Sequence, residues 1–236
     1  MNILITNDDG WDAAGIAALL DVAQEFGSCT ILAPANEQSG VSHQISLWRP
    51  MQLLQQSEAV WSLDGTPADC VRVALTQFET PFDLVLSGIN NGGNLGSDVY
   101  VSGTVAAARE AALFGLPAIA ISQHRARFAD DFDWKWTMKI CASVLQHCHD
   151  AGLKQREVVN VNLPDVSDAE SLPVVEIVDP CPLDPAPRLA VFESESDQQP
   201  GTLLRSVGKY NDRKRIAGHD VETCFAKKVS VTRLQF

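Results

Sequence analysis

Two adjacent carboxylates, Asp8 and Asp9, stand between the apolar run Ile3-Leu4-Ile5 and Gly10 in the stretch ITNDDGWDAAG. Like charges side by side repel, so a plain strand-to-helix turn has little use for the pair. Capping the helix that begins near Ala13 needs one such residue, and Asp12 is nearer to it. Two carboxylates joined by hydroxyl and amide oxygens from neighbouring loops make a hard-oxygen site, the donor set that Mg2+ and Mn2+ prefer. A bound cation would also relieve the repulsion.

The second chemical stretch is SGINNGGNLGSDVYVSGTVAAARE, residues 87–110. Gly88, Gly92, Gly93 and Gly96 let a backbone turn tightly and approach a ligand. The loop then enters a helix through Ser102-Gly103-Thr104, where free N–H groups and the helix dipole attract an anion. Helix capping by Ser102 alone would look the same over those three residues, and the long Gly/Asn loop before them is what favours a cradle. No Walker-type phosphate loop and no dinucleotide glycine fingerprint is present, which disfavours a P-loop NTPase and a dehydrogenase. No nucleophile elbow and no Ser–His–Asp arrangement stands out. A divalent ion and an anion cradle in one crevice point to phosphate chemistry, because the ion polarises a phosphoryl oxygen and can supply hydroxide near neutral pH.

These residues must be positioned by alternating strands and helices. Strands are expected at Asn2–Thr6, Cys29–Ala33, Asp83–Ser87, Leu116–Ser122 and Val158–Leu163, with extended segments at Gln44–Leu54 and Ala59–Leu63. Helices are expected at Ala13–Phe26, stopped by Gly27; at Pro67–Phe78, with Thr66 as its cap and Pro67 in its first turn; at Ser102–Phe114; and at Phe132–His149. Ala35–His43 and Gly88–Val101 read as loops. The fold class is α/β: a mostly parallel sheet in a three-layer αβα sandwich. Each polar cluster follows the carboxyl end of a strand: Asp8 and Asp9; Asn36, Gln38, Ser39 and Gly40; Ser87, Asn90, Asn91 and Asn94; Ser122 and His124. Open parallel sheets bind ligands there, so these loops should share one crevice. After Pro164 the texture changes. Prolines punctuate short extended runs at Val174–Val178, Leu189–Glu193, Thr202–Val207 and Val229–Leu234, so residues 1–165 form the core and residues 166–236 a β-rich arm of a single domain.

The chain has 236 residues and is 45% hydrophobic, enough for a sizeable core. No run approaches the roughly 18 apolar residues of a membrane helix, and MNILITNDD is not a secretory leader, so a cytoplasmic protein without a membrane partner is expected. The net charge of −12 argues against a nucleic-acid polymer as partner. The charge is uneven: residues 205–233 hold eight Lys or Arg (Arg205, Lys209, Arg213, Lys214, Arg215, Lys227, Lys228, Arg233) against three acids (Asp212, Asp220, Glu222). Such a tail is expected to pack on the acidic body or on a second subunit, in preference to meeting an anionic substrate. Of the six cysteines none forms a CxxC pair, and Cys141, His147, Cys148 and His149 match no zinc spacing.

ILITNDDG, APANEQSG, LDGTPADCV and SGINNGGNLGSDVYVSGTVAAA together resemble the SurE family of survival-protein nucleotidases, over most of residues 1–125 and in the family's order. The resemblance implies a Rossmann-like phosphatase that needs one divalent cation and removes phosphate from nucleoside 5′-monophosphates, with 3′-nucleotides or short polyphosphate as further substrates of some members. It implies Asp8, Asp9, Ser39 and Asn90 as metal ligands, and Gly40, Asn94, Ser102, Gly103 and Thr104 as the phosphate pocket. Thr66, Pro67 and Asp69 fall in a family-typical segment that a structural role would explain. Asp8 or Asp9 would orient or deprotonate the attacking water, or attack directly; both remain open here. The chain departs from the family at Val101, where Tyr is common and Tyr100 is displaced by one; at Arg233, where Pro is usual; and loosely through residues 180–225. It stops at Phe236, short of the family's exchanging C-terminal segment, so a homodimer involving residues 180–236 is expected, with a tetramer left open. The alternatives are a nucleotide-binding regulatory protein without turnover and a glycosyltransferase-like protein using the aspartate pair. The latter leaves the Ser102-Gly103-Thr104 helix start unexplained.

Overall fold

Ile3, Leu4 and Ile5 are buried on both faces of the first strand, and the alternation sends them into different layers. Ile3 and Ile5 pack with Ile16 and Leu19 of helix α1 (Ala14–Ala23) and with Ile140 and Val144 of α4 (Lys135–Asp150). Leu4 packs on the opposite side with Val71 of α2 (Pro67–Gln77) and with Val105, Ala108 and Ala111 of α3 (Gly103–Leu113). The computed structural model describes residues 1–126, 132–187, 190–196 and 202–235. Its three layers are the expected αβα arrangement.

The main sheet has nine strands. From one edge they are β3 (Leu53–Ser57), β4 (Val60–Leu63), β2 (Ser28–Pro34), β1 (Asn2–Thr6), β5 (Leu84–Asn90), β6 (Ala118–Gln123), β7 (Val158–Leu163), β11 (Val229–Leu234) and β8 (Ile177–Val178). The six from β4 to β7 run parallel, while β3 and β11 run against β4 and β7. The chain moves outward from β1 through β2 to β4, then returns to place β5 on the other side of β1. That reversal opens a crevice above the carboxyl ends of β1 and β5.

Local chemistry explains the boundaries. Thr66 and Asp69 cap α2 reciprocally, each side chain bonding the other's N–H at 3.1 Å. The same pair recruits the preceding segment: Asp69 accepts from Ser46 N–H and Thr66 donates to the Gln44 carbonyl. These bonds take residues 44–52 out of the sheet, so the expected extended segment begins only at Leu53. Helix α1 ends at Ala23 rather than Phe26, because Glu25 and Phe26 donate to Val22 and Ala23 and tighten the last turn. Strand β5 runs past Ser87 to Asn90. Gly15 lies so close to β5 that an added Cβ would stand 2.0 Å from the Ile89 carbonyl oxygen.

The segment after Pro164 divides. β8 and β11 extend the main sheet, while β9 (Phe192–Ser196) and β10 (Leu203–Ser206) pair with each other as a hairpin. The first half of Val174–Val178 is not strand, and Leu189 lies outside the described residues. Several basic residues of the tail meet acids. Arg213 reaches Asp98 at 2.6 Å with both side chains buried, and Arg233 bridges Glu157 and Asp179. Lys227 and Lys228 pair with Asp168 and Glu176 in exposed positions that contribute little. Cys141 and Cys148 face the core and His147 contacts Asp179, so these residues do not form a common ligand set.

Candidate active site

The aspartate pair is held by a tied turn. The Asn7 side chain bonds both the N–H and the carbonyl of Gly10, at 3.2 and 2.8 Å. Two backbone bonds fasten this turn to the loop after β2: Gln38 N–H donates to the Asp8 carbonyl, and Trp11 N–H donates to the Pro34 carbonyl. Asp8 is buried, and its Oδ1 accepts from Thr104 Oγ1 at 2.5 Å. Burial pushes the Asp8 carboxyl up to about 6; the Thr104 hydroxyl opposes the rise and the Asp9 charge adds to it. Asp9 accepts the Asn91 N–H at 3.1 Å, yet burial still raises its carboxyl above the ordinary value, with Glu37 adding repulsion. Ser39 donates to Glu37 at 2.6 Å.

The Gly/Asn loop is clamped from below and above. Asn94 donates its N–H to Asn162 and its side-chain amide to Ser122, while its carbonyl accepts from Asn160 and Asn162. From the tail, the Tyr210 hydroxyl lies 3.0 Å from the Gly93 carbonyl and 3.1 Å from Asp98. Arg213 donates to the Leu95 carbonyl as well as to Asp98, and Asp220 accepts the Gly96 N–H. Asn90 turns its amide nitrogen to the Gly92 carbonyl at 2.7 Å.

These loops surround a cavity of about 700 Å³ at the sheet reversal. Asp8, Asp9, Ser39, Gly40, Asn90, Asn94 and Ser102 all line it. Gly103 and Thr104 do not. They stand behind Asp8: Thr104 through its hydrogen bond, and Gly103 because a Cβ there would lie 2.8 Å from the Asp8 Cβ. Ser102 caps α3 by accepting the Val105 N–H. Ser122 is sealed beneath Asn94, and His124 points elsewhere, stacked on Phe225 at 4.4 Å. The expected sharing of one crevice therefore holds for the first three polar clusters in part and fails for the fourth.

Several lining residues escape sequence reasoning, among them Glu37, Arg125, Phe132, Trp134 and Tyr210. Glu37 sits in the polar loop after the second strand, where Asn36, Gln38, Ser39 and Gly40 draw attention instead. Arg125 follows β6 by two residues, past the polar pair that draws attention. Tyr210 comes from the tail, where no local pattern points to the cavity. The charge balance is informative. Asp98 is paired with Arg213, leaving Asp8, Asp9 and Glu37 against Arg125, the one cationic side chain among the described lining residues. Elsewhere, too, no three His, Cys, Asp or Glu side chains among the described residues gather to hold a metal. A cation at this cavity would thus be held by the aspartates and neutral oxygens, a set that fits a hard ion. An incoming phosphate would meet net negative charge unless one were present.

Comparison with known proteins gives a consistent result. The family model described as Survival protein SurE matches residues 3–179. A protein of Nostoc sp. is 41% identical over 235 residues, covering all of both chains. The 5′-nucleotidase SurE of Acinetobacter baumannii is 41% identical over 202 residues, covering 76% of each chain. The crystal structure of the SurE protein from Aquifex aeolicus superposes with a TM-score of 0.83 at 28% identity, covering 100% of this chain and 93% of the other.

Proposed function

The chain belongs to the SurE family, and on that premise we propose that it is a divalent-cation-dependent phosphatase hydrolysing nucleoside 5′-monophosphates to nucleoside and phosphate. The observation that carries this reading is the convergence of Asp8, Asp9, Ser39 and Asn90, from chain segments at the carboxyl ends of β1, β2 and β5, on one cavity at the sheet reversal. These four residues would hold one Mg2+ or Mn2+. When bound, the cation supplies charge neutralisation and Lewis-acid polarisation of a phosphoryl oxygen. The remaining work falls to the protein. Thr104 and the Asn91 N–H hold the two carboxylates in place, Gly40, Asn94 and Ser102 form the wall for the phosphate oxygens, and one of the two aspartates orients the attacking water. The six unpaired thiols support a reducing, cytoplasmic setting.

The test is release of inorganic phosphate from a panel of nucleoside monophosphates, with and without added Mg2+ or Mn2+. Turnover that needs the cation and stops on chelation is expected; cation-independent or absent turnover would favour a binding protein without catalysis. The same assay has a pH signature. The folded Asp8 carboxyl titrates near 6, above its ordinary value of 3.8, so a proton competes with the cation below about pH 6. The cation concentration giving half-maximal activity should rise by up to about tenfold per pH unit in that range. In the cation-free protein the sign for stability is opposite. The folded state binds this proton more tightly than the unfolded chain, so the contribution is full below the ordinary value and is lost as pH rises through about 6.

The assembly we propose is a homodimer. Phe192, Leu203 and Leu204 of the β9–β10 hairpin are exposed apolar side chains within residues 180–236, a costly arrangement for an isolated subunit. Light scattering at micromolar concentration is expected to give twice the chain mass; a clean 25.6 kDa species would overturn this.

A further inference from the structure

The cavity is far larger than a phosphate group requires, and its lining changes in chemistry along a chain of contacts that starts at the aspartate pair. From Asp9 a continuous series of contacts leads away: its carboxylate accepts the Asn91 N–H, and the Asn91 side-chain oxygen accepts Arg125 Nη1 at 2.6 Å. The Arg125 guanidinium lies 3.9 Å from the centre of the Phe132 ring, and Phe132 meets Trp134 edge to face at 5.0 Å. Trp134 is seated against the start of α1: a Cβ on Gly15 would stand 3.2 Å from its ring. Both aromatic residues are half-buried and both line the cavity. The order of chemistry along the wall is carboxylates, amide, guanidinium, aromatic rings.

Resting on the phosphatase reading above, we infer that Trp134, with Phe132 and the guanidinium it backs, is the subsite for the nucleobase, and that it makes the enzyme prefer nucleotides to sugar phosphates. A nucleoside 5′-monophosphate has the matching order, with its phosphate at one end and a flat π-surface at the other. Stacking on aromatic rings and guanidinium planes accepts any base, because every base offers a π-face. The subsite therefore predicts tolerance among bases together with discrimination against phosphates that lack one. No hydrogen-bonding group has to read the base edge for this to work.

The experiment compares AMP with ribose 5-phosphate as substrates of the cation-loaded protein and of Trp134→Ala, Trp134→Phe and Phe132→Ala. In Trp134→Ala, kcat/KM for AMP should fall about tenfold more than kcat/KM for ribose 5-phosphate, the loss lying mainly in KM. Trp134→Phe should recover most of it, which a general loss of packing at α1 would not show. Equal losses on both substrates, or no loss on either, would overturn the inference. If the wild-type protein hydrolyses neither compound, the phosphatase reading fails by itself, and calorimetric titration with adenosine decides the subsite. Binding by the wild type and its loss in Trp134→Ala would uphold it; no binding by the wild type would overturn it.

Discussion

Asp9→Asn is expected to lower cation-dependent kcat/KM by about 10³-fold while leaving the fold intact, since several kcal/mol of charge stabilisation depend on the ion. The substitution is nearly isosteric. Asparagine keeps an oxygen that can accept the Asn91 N–H, so the tie between the first and third loops survives. What is lost is a negative charge beside Asp8 and Glu37, and with it the ability to hold a divalent ion tightly. Removing one of two mutually repelling carboxylates also relieves a cost carried by the cation-free protein. Its urea midpoint should therefore be unchanged or slightly higher. Undiminished turnover of nucleoside monophosphates with Mg2+ or Mn2+ in this variant would sink the assignment of the aspartate pair.

Gly103→Ala should be nearly as damaging, though Gly103 does not face the cavity. The added methyl would lie 2.8 Å from the Asp8 Cβ, 2.9 Å from its Oδ2 and 3.1 Å from the Pro67 ring. None of these can retreat easily: Asp8 is buried and bonded to Thr104, and Pro67 begins α2. Either the carboxylate or the first turn of α3 must shift. A displacement on the order of 1 Å in such a group costs about 10²-fold in rate. We expect kcat to fall by that amount and the half-saturating cation concentration to rise. The family resemblance implies that Gly103 belongs to the phosphate pocket, whereas in the structure an added methyl there meets the Asp8 carboxylate. Steady-state kinetics across a cation titration separates the two, because crowding of phosphate alone would leave the cation constant unchanged. Activity within about twofold of wild type would mean that neither group is displaced.

Much of this protein is legible in its sequence because the relevant forces are local or periodic. The short apolar run in Asn2–Thr6 and the apolar spacing of Ile16, Leu19 and Leu20 determine a strand and a helix whatever surrounds them. A parallel α/β sheet follows from their repetition, and its topology sends loops to the carboxyl ends of the strands. That is why Asp8, Asp9, Ser39, Asn90 and Asn94 could be singled out and do line one cavity.

What the tertiary structure decided depends on groups distant in the chain. Gly103 and Thr104 look like a phosphate cradle in sequence, yet they support Asp8, because the packing of α3 against α2, β5 and β6 turns them toward it. Tyr210, Arg213 and Asp220 brace the Gly/Asn loop from more than a hundred residues away. The β-rich arm gives β11 to the main sheet, since the edge of β7 offers unpaired backbone groups that a tail strand can satisfy. Hydrophobic period and turn chemistry carry no information about such partners. Only the closure of the fold brings their side chains within reach.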